Sequence, residues 1–498
     1  MRNFFLILAL ISFISLAAPA QLTYTIDESK TFQTIHGFGA SDAWSNNLVQ
    51  LWNDSSRTIA ADWLFSKQLL PDGSYKGIGL SVWRYNLGAG SSEQGDSSYI
   101  GDPNRRTESF LNSDGTYNFQ KQNGAQWLIK AAKARGLENL VMFCNSPPVS
   151  LTVNGKAFSG VCGKSNLATG KEPAFAQYIS RSLQHFEKEG IHFDYISPVN
   201  EPEWTWCRAD GQEGNPYTNL QIAELIRKVN LEFSEYQIST KIQIPESGLL
   251  VFANPGYKFK PRRQNEINSF FTKGKDTYLG EQNHLARQIC AHSYFTEWPL
   301  WINRMVRKRT ARVCQKRNLE YWMSEYCILR QTKDITGNGR DLGMHTALYV
   351  SRVIHHDLVF GNASAWCWWL GVSTADFKDG LVYAGTNGKG LTDSKTMWAL
   401  GNFSQFIRPE AVRLNVPGRV NKDIFVSAFR NKGSDEMVIV VINFRKEKQA
   451  IMFKNIPKGV LTGWETSKDK SLSRSGTFPS DKKVIVSPES VTTFVLGI

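Results

Sequence analysis

The sequence predicts an α/β fold, a (β/α)8 TIM barrel with a C-terminal side β-sandwich that an N-terminal strand joins. Three observations lead to this prediction. Strand-like and helix-like patterns alternate between residues 37 and 408. From residue 409 to 498 only short β patterns follow one another, and strand-like runs also occupy residues 21–36. Repeated β–α alternation implies parallel strands, and about eight such units close most economically into a barrel.

The first 20 residues have the pattern of a cleaved secretory signal peptide. A basic residue precedes an apolar run from Phe4 to Ala17, and residues 18–20 offer small side chains for cleavage before Gln21. A membrane anchor is the alternative, but the run is shorter than the roughly 18 residues that a span requires. We therefore expect a secreted or periplasmic protein that does not insert into a membrane.

Seven apolar runs in the alternating part have the length and composition of buried strands. They are residues 79–85, 140–144, 195–199, 242–244, 288–292, 321–323 and 363–369. Between them, apolar side chains recur at helical spacing over residues 119–135, 172–190 and 220–236. Gly136 is placed to end the first of these helices.

The C-terminal part has the texture of an all-β domain. Strand patterns cover residues 424–429, 436–443, 449–453, 483–486 and 491–496, with turn residues between them. The strand pattern before the barrel is expected to join this sandwich, since nothing helical precedes the barrel. Because no low-complexity linker separates the two parts, we expect a tight interface between them.

The formal net charge of +13 is dispersed along the chain. The densest basic cluster, residues 305–317, has helical spacing and is interpreted as the solvated face of a helix. A basic balance can favour anionic partners, but no nucleic-acid recognition is expected. Aromatic residues make up 12% of the chain and include 15 tryptophans, which suits stacking on sugar rings, although the core takes most of them.

The seven cysteines fall into two groups. Cys162 and Cys207 lie in loop-like segments and are able to pair in an oxidising compartment. Those in apolar strand-like runs are expected to be buried thiols, namely Cys144, Cys290, Cys327 and Cys367. No Cys-x-x-Cys or Cys/His spacing indicates a metal site, so neither a metal nor a cofactor is expected.

Two carboxylates follow strand patterns, where a barrel places its catalytic groups. Glu201 comes just after residues 195–199, and Glu325 comes just after residues 321–323. A glycosidase needs one carboxylic acid to protonate the leaving oxygen and one carboxylate to attack the sugar, about 5–5.5 Å apart in retaining enzymes. Such proximity raises one of the two pKa values. The sequence therefore predicts Glu201 and Glu325 as the two catalytic carboxyl groups.

The ordered series of motifs resembles glycoside hydrolase family 30, in the clan of retaining β-glycosidases known as clan A. The matching segments are residues 33–42, 83–86, 145–148, 200–202, 292–294, 324–327, 366–369 and 401–409. They cover nearly the whole chain after the leader. The resemblance implies a (β/α)8 barrel and retaining hydrolysis without a cofactor. We expect a monomer that acts on a polysaccharide or oligosaccharide.

The resemblance also implies that Glu201 is the acid/base and Glu325 the nucleophile, and it implies roles for the residues around them. Arg84 would orient Glu325 and help to keep it ionised, since a guanidinium does not give up its proton. Asn200 would bind the sugar 2-hydroxyl. His292 and Tyr294 would line the sugar-binding subsite, with the tyrosine near the nucleophile.

Further residues are candidates for sugar contacts. Asp42 and Trp44, just past the first barrel strand, would contact hydroxyls and a ring face, with packing at the bottom of the barrel as the alternative. Asn86 belongs to the same substrate-binding group. Trp369 would be the platform at the end of the last strand, and Trp368 is the competing choice because the register is open. Glu246 ends another strand and is able to reach the pocket, with a purely structural place as the equal alternative.

The substrate prediction depends on departures from the glucosylceramidase branch of the family. Pro148 stands where that branch has a tryptophan, and Ser91 and Ser92 stand near an expected acidic residue. Residues 37–44, 88–95 and 145–148 are more similar to the branch of endo-β-1,6-galactanases. We therefore expect an endo-β-1,6-galactanase acting on galactan or arabinogalactan side chains, and the basic charge would tolerate glucuronate caps.

Three alternatives remain on the same scaffold: a β-1,6-glucanase, a β-xylanase and an exo-acting β-glycosidase. A non-catalytic carbohydrate-binding protein is the alternative from another class. The presence of Glu201, Glu325, Asn200 and Arg84 argues against it.

Overall fold

The computed structural model describes residues 22–497, except 208–210, 258, 260–261 and 419–420. The predicted signal peptide, residues 1–20, lies outside this described part. Among the described helices, none combines the length and the apolar character that crossing a membrane requires.

After two strands, β1 (Leu22–Thr25) and β2 (Asp27–Thr34), the chain builds a parallel sheet. Its strands are β3 (Gly37–Ser41), β4 (Val82–Asn86), β5 (Asn139–Phe143), β6 (Tyr195–Ser197), β7 (Lys241–Ile242), β8 (Pro245–Ser247), β9 (Gln288–His292), β10 (Glu320–Tyr326) and β11 (Ala363–Ser373). Hydrogen-bonded neighbours follow the order β7-β6-β5-β4-β3-β11-β10-β9-β8. Only Gln243 and Ile244 separate β7 from β8, so the two ends of the sheet meet in one chain segment and the sheet is TIM-barrel-like.

Helices follow the strands of this sheet and cover its outside. They are α1 (Asp54–Phe65), α2 (Ser91–Gln94), α3 (Asn123–Ala134), α4 (Glu172–Lys188), α5 (Asn219–Glu235), α6 (Leu250–Ala253), α7 (Glu266–Phe271), α8 (Leu300–Gln315), α9 (Met344–Val359) and α10 (Lys395–Ser404). Short 3-10 helices occupy Ser45–Leu51, Gly95–Ser98, Pro103–Arg105 and Val149–Leu151. At α5, Thr218 and Gln221 form a capping box that satisfies the first backbone N–H groups.

The predicted helix limits hold for α4 and α5 to within two residues, but the start of α3 was predicted four residues too early. The reason is Gln122, whose left-handed backbone (φ 56°) turns the chain just before the helix begins. The amphipathic pattern at Phe119 belongs to the preceding loop, where Phe119 stacks on His185.

The strands of the parallel sheet are buried on both faces, which is why their sequences are continuously apolar. Inside the sheet, one cluster gathers side chains from five strands: Val82, Val141, Cys290, Trp322, Ala365 and Cys367. Close strand packing also requires Gly39, because a Cβ there would lie 2.4 Å from the carbonyl oxygen of Val82.

A short pair, β12 (Gly380–Tyr383) and β13 (Thr392–Asp393), extends the parallel sheet from β11. The chain after α10 is a C-terminal β domain. Then follow β14 (Val412–Asn415), β15 (Ile424–Arg430), β16 (Met437–Asn443), β17 (Gln449–Lys454), β18 (Val460–Thr466), β19 (Ser473–Pro479), β20 (Val484–Val486) and β21 (Ser490–Gly497). A seven-stranded sheet runs β19-β18-β21-β16-β15-β14-β2, and a three-stranded sheet runs β1-β17-β20. The N-terminal strands therefore join this domain, as predicted.

The central strands of the seven-stranded sheet, β15, β16 and β21, are buried on both faces, and this fastens the β domain to the barrel. One face shares an apolar cluster with the small sheet, in which Ile439 meets Ile451 and Val484. The opposite face, including Phe425 and Val440, belongs to the main core and lies against α9 and α10. The tight interface expected from the missing linker is therefore present.

The cysteines behave as predicted. Cys162 and Cys207 form a disulfide, and Cys144, Cys290, Cys327 and Cys367 are buried thiols, as is Cys314. The basic cluster at residues 305–317 does form a helix, α8, but one part of that prediction was wrong. Arg307 is fully buried rather than solvated, because its guanidinium pairs with Asp357 at 2.7 Å.

Candidate active site

The two predicted catalytic glutamates meet at the carboxyl end of the parallel sheet. Glu201 lies in the loop after β6, where its backbone is left-handed (φ 46°) and its N–H donates to the carbonyl of Glu246 at 2.9 Å. Glu325 was predicted to follow a strand, but it lies within β10. The strand is longer than its apolar pattern because Glu325 and Tyr326 still pair with His292 of β9 and Trp368 of β11.

Glu325 is held on both of its oxygens. Arg84 Nη1 donates to Oε2 at 3.0 Å, and the Tyr294 hydroxyl donates to Oε1 at 2.9 Å. The residue is only 3% exposed. Burial raises the pKa of Glu325, and the charge of nearby Glu201 adds to this, while the positive charges of His292 and Arg84 act in the opposite direction.

Arg84, at the centre of β4, is fixed on several sides. Its Nη1 also donates to Ser41 Oγ at 2.8 Å, and its Nη2 lies 3.5 Å from Oε2 of Glu246. The guanidinium lies 4.4 Å from the ring centre of Phe143. Although burial opposes a charge here, Glu246 and Glu325 raise the pKa of Arg84, so the side chain is a permanent cation.

His292 bridges three carboxylates at the end of β9. Its Nδ1 lies 2.9 Å from Oε1 of Glu201 and 3.5 Å from Oε1 of Glu325, and its Nε2 lies 3.3 Å from Oε2 of Glu246. Burial alone would lower the pKa of His292, but Glu325, Glu201 and Glu246 together raise it to about 10. The ring is therefore an imidazolium at neutral pH, and both nitrogens donate.

Glu246, whose place the sequence left open, lies beneath the catalytic pair. It is fully buried and accepts hydrogen bonds from Ser197 Oγ, at 2.6 Å, and from Ser324 Oγ. Burial would raise the pKa of Glu246, but the charges of Arg84 and His292 lower it to about 2. It is thus a buried anion that neutralises the two cations of the site.

The separation of the two glutamates is short. One carboxylate oxygen of Glu201, one of Glu325 and a nitrogen of His292 all lie within 4.8 Å of one another. Among the described residues this is the one group of three side chains whose ligand atoms come close enough to hold a metal ion.

A row of asparagines borders the pair. Asn200 Nδ2 donates to Asn145 Oδ1 at 3.1 Å, and Asn145 Nδ2 lies 3.3 Å from Asn86 Oδ1. Within the described residues, the buried atoms Asn200 Oδ1 and Asn86 Nδ2 have no hydrogen-bond partner. The prediction from sequence included Asn145 only as part of a motif and assigned it no role.

Asp42 lies next to this row but is buried. Its Oδ1 accepts the backbone N–H of Asn86 at 2.6 Å, which ties the end of β3 to β4. Burial raises the pKa of Asp42 to about 8, against the opposing effects of the Asn86 N–H and of Arg84. The side chain is therefore able to carry a proton at neutral pH.

Aromatic rings line one side of the site. Trp369 meets Trp44 edge to face at 5.1 Å and lies 6.3 Å from Phe143. Trp368 instead packs against Trp366, and its indole N–H donates to the carbonyl of Asp379 at 2.5 Å. Of the two choices left open by the sequence, Trp369 is therefore the one that lies beside Trp44 and Phe143, whose ring lies against Arg84.

Two further contacts shape this wall and the loop beside it. Arg105 lies over the Trp44 ring at 5.0 Å, so one face of that indole is already covered. Glu213, fully buried, accepts the N–H of Ala89 at 3.0 Å and the hydroxyl of Ser91 at 2.6 Å. A distant carboxylate thus anchors the loop after β4, and no local sequence pattern signals a partner more than 120 positions away.

Two more buried carboxyl groups lie behind the acid/base loop, and the sequence interpretation missed both. Glu203 Oε2 accepts the Gly248 N–H at 3.1 Å, and Glu266 Oε2 accepts the Ser247 hydroxyl. The two carboxyls lie close enough for each to shift the pKa of the other. Burial is the main cause that raises the pKa of Glu203 to about 7 and that of Glu266 well above its usual range. The pair ties the loop carrying Glu201 to the segment after β8.

Comparisons with known proteins agree with this geometry. The family model for O-glycosyl hydrolase family 30 matches residues 21–383. A solved structure of a conserved exported protein from Bacteroides fragilis is 32% identical, with a TM-score of 0.89, over 95% of this chain and 100% of that chain.

Two characterised enzymes are more distant relatives. An endo-β-1,6-galactanase from Hypocrea rufa is 23% identical over 89% of this chain and 86% of its own length. A glucuronoxylanase from Bacillus subtilis is 24% identical over 75% of this chain and 78% of its own length. The family predicted from the motifs is thus confirmed, and the chain belongs to family 30 of the O-glycosyl hydrolases.

Proposed function

We propose that this glycoside hydrolase cleaves β-linked polysaccharide with retention, using Glu325 as nucleophile and Glu201 as acid/base. The observation that carries the proposal is the close approach of the two carboxyl groups, with oxygens within 4.8 Å of each other. Inverting enzymes keep their carboxyl groups about 6.5–9.5 Å apart to admit a water molecule, whereas retaining enzymes use about 5–5.5 Å. The spacing favours direct attack by Glu325 on the sugar.

In the first step, a carboxylate oxygen of Glu325 forms a bond to the anomeric carbon. The bond from that carbon to the glycosidic oxygen breaks, and the proton of Glu201 passes to the departing oxygen. Arg84 and Tyr294 hold Glu325 through one oxygen each, so attack needs little reorganisation. The cations at Arg84 and His292 favour the ionised nucleophile against the effect of burial.

In the second step, Glu201 is a carboxylate and accepts a proton from a water molecule. The water oxygen bonds to the anomeric carbon on the face that the leaving group has vacated, and the bond to Glu325 breaks. The sugar leaves with its original β configuration, and Glu201 regains its proton.

The groups around the pair would hold the sugar. Asn200 Oδ1 and Asn86 Nδ2 offer an acceptor and a donor, since neither has a partner among the described residues. We assign Asn200 to the 2-hydroxyl, Asp42 to a neighbouring hydroxyl, and Trp369 with Trp44 to the apolar ring face. Tyr294 and His292 complete the subsite beneath the reacting carbon.

For the substrate we propose β-1,6-galactan or arabinogalactan side chains, cleaved internally. The sequence likeness to the Hypocrea rufa galactanase over most of both chains supports this choice. The glucuronoxylanase relative keeps β-xylan as the competing substrate. Digestion of a panel of β-1,6-galactan, β-1,6-glucan and xylan tests the choice: galacto-oligosaccharides of several lengths are expected, and products from xylan alone would overturn it.

We also propose the domain limits and the cellular location. Residues 1–20 would be removed on export, residues 37–408 would form the closed (β/α)8 barrel, and residues 21–36 and 409–498 would form the side β-sandwich. The short gap between β7 and β8 supports closure of the barrel, and the relative described as exported supports secretion or a periplasmic location. Amino-terminal sequencing of the mature protein is expected to begin at Gln21, and retention of the leader would contradict export.

A further inference from the structure

The outer face of α8 is a basic stripe that begins with an exposed tryptophan. Its exposed positions include Trp301, Met305, Lys308 and Arg312, which follow one another at helical spacing on one side of the helix. Trp301 is 65% exposed and Met305 49%. From Trp301 to Arg312 the stripe runs about 16 Å along the helix axis. We name these four residues, together with Arg304, the α8 stripe.

The positive charge of the α8 stripe has no acidic counterpart nearby. Residues 300–317 contain seven Lys or Arg side chains and no Asp or Glu. Among the ion pairs of the described residues, only Arg307 of this segment takes part, with buried Asp357. Arg304 and Lys308 instead lie over the ring of Phe360, at 5.7 and 5.3 Å. These ring contacts hold the two cations in position, and neither cation forms an ion pair with a carboxylate of the described residues.

Like charges four residues apart on a helix repel each other, as Arg304 does with Lys308 and Lys308 with Arg312. A bound polyanion would relieve this repulsion. The stripe also starts on the catalytic face, since α8 follows the loop after β9, whose last residue is His292. A polymer lying along the stripe would thus pass close to the mouth of the pocket.

We propose that the α8 stripe is a second, non-catalytic binding site for a polysaccharide that carries carboxylates, such as one containing uronic acids. A sugar ring stacks on the indole of Trp301, and Lys308 and Arg312 pair with carboxylates farther along the polymer. This site goes beyond the hydrolysis of the proposed function and does not depend on which linkage is cut.

The observations favour a polysaccharide over the two other polyanionic partners. A helix that lies in a membrane surface needs a continuous apolar face opposite its basic face. Here the exposed apolar side chains are Trp301 and Met305 alone, and the face opposite the stripe is buried against the barrel. A nucleic acid would match the charge, but the enzyme belongs to a family that acts on glycans, and the stripe adjoins its catalytic face.

Binding of the full-length mature protein to four probes tests the proposal. The probes are sodium polygalacturonate, a neutral β-galactan, duplex DNA and vesicles containing phosphatidylglycerol, each titrated at low and at physiological salt. The test variant is K308E/R312E. Its matched control is K482E/K483E, which makes the same change in net charge on exposed lysines of the β domain. W301A removes the platform without any change in charge, and melting curves establish that each variant is folded.

The proposal predicts that the dissociation constant for polygalacturonate rises about tenfold or more in K308E/R312E and severalfold in W301A. K482E/K483E should change it by less than about twofold, and salt should weaken binding. Equal effects of the two double variants, or no binding at low salt, would overturn the proposal. So would tighter binding of DNA or vesicles than of polygalacturonate through the same residues. Because the readout is binding, these results stand whether or not a galactan proves to be the substrate.

Discussion

Two groups of buried carboxyls lie around Glu201, the proposed acid/base, and their surroundings act on their charge in opposite ways. In the cationic cluster, Glu246 and Glu325 face Arg84 and His292. In the carboxyl pair, Glu203 and Glu266 each shift the pKa of the other, and Oε1 of each has no hydrogen-bond partner among the described residues. Burial is nearly complete in both groups, yet the pKa of Glu246 is lowered to about 2, whereas that of Glu203 is raised to about 7.

The comparison shows that cations close to a buried carboxyl counteract the effect of burial on its pKa, and that they outweigh burial at Glu246 but not at Glu325. Removing a carboxylate from water is costly unless a cation or several donors replace the solvent. Arg84 and His292 do this for Glu246 and favour an ionised Glu325. At Glu203 and Glu266 no ion pair within the described residues offsets burial, and the pKa of each carboxyl is raised. Four predictions test this difference with substitutions in or beside one of the two groups, in order from the largest expected effect to the smallest.

Replacing Glu325 by Gln removes the proposed nucleophile from the cationic cluster. Turnover of the best substrate should fall on the order of 10⁴- to 10⁶-fold, the scale reached when a hydrolase loses its nucleophile. Initial rates and glycan binding are measured side by side, and binding should be largely kept. Glu203→Gln is the matched control, since it makes the same change at a buried carboxyl outside the cluster, and it should cost far less. Full activity of Glu325→Gln would refute the assignment.

Replacing Glu201 by Ala removes the proton donor but keeps the nucleophile. The rate on a substrate with a poor leaving group should fall about 10²- to 10⁴-fold. With an aryl glycoside whose leaving group needs no protonation, the rate of the first step should fall much less. Added azide should restore turnover and give a β-glycosyl azide. An unchanged rate on the polysaccharide would exclude Glu201 as the acid.

Glu246→Gln breaks the cationic cluster from below and leaves Arg84 and His292 with one anion fewer. Loss of one partner from a buried ion pair should lower the free energy of unfolding by about 3–5 kcal/mol. Urea unfolding at neutral pH measures this. The pKa of His292, raised to about 10 in the wild type partly by Glu246, should fall in the variant when followed by NMR. An unaltered His292 titration would mean that Glu246 does not sustain the imidazolium.

The carboxyl pair should make stability depend on pH. Glu203 titrates at about 7 in the folded protein and at its ordinary value of 4.5 in the unfolded chain. The folded state thus holds this proton more tightly, and the free energy of unfolding should fall as pH rises from about 4.5 through 7, by up to about 1.4 kcal/mol per pH unit.

The double variant E203Q/E266Q removes both titrating groups at nearly constant volume and should flatten this fall. Asp42, with its pKa raised to about 8, contributes a similar slope to both proteins, so the difference between the two curves isolates the pair. Parallel curves for wild type and variant from pH 5 to 8 would show that folding does not raise the pKa values of Glu203 and Glu266.

The sequence was informative where one residue and its local pattern carry the chemistry. Glu201, Glu325 and Arg84 end or occupy apolar strands, and the strand ends of a barrel converge, so their meeting was foreseeable. The choice between Trp368 and Trp369 was not, because β11 is buried on both sides and both positions are apolar. Only the pairing register of the strand separates them.

Partners that lie far apart in sequence escaped prediction for a different reason. Glu266 lies on α7 and Glu203 in the loop after β6, and Glu213 binds Ser91 across more than 120 positions. Neither pair produces a periodic pattern in the sequence. Strands β14, β18 and β19 were missed as well. In β19 most side chains are at least partly exposed and polar, so the strand is defined by its backbone pairing with β18 rather than by an apolar pattern.

The most direct test of the account is the stereochemistry of the first product. Proton NMR follows hydrolysis of the best glycan from the panel during the first minutes, before the anomers equilibrate. A close pair of carboxyls, with Glu325 attacking and Glu201 exchanging protons, predicts that the β anomer appears first. An initial α anomer would mean that water attacks the sugar directly, and it would contradict the central assignment of Glu325 as the nucleophile.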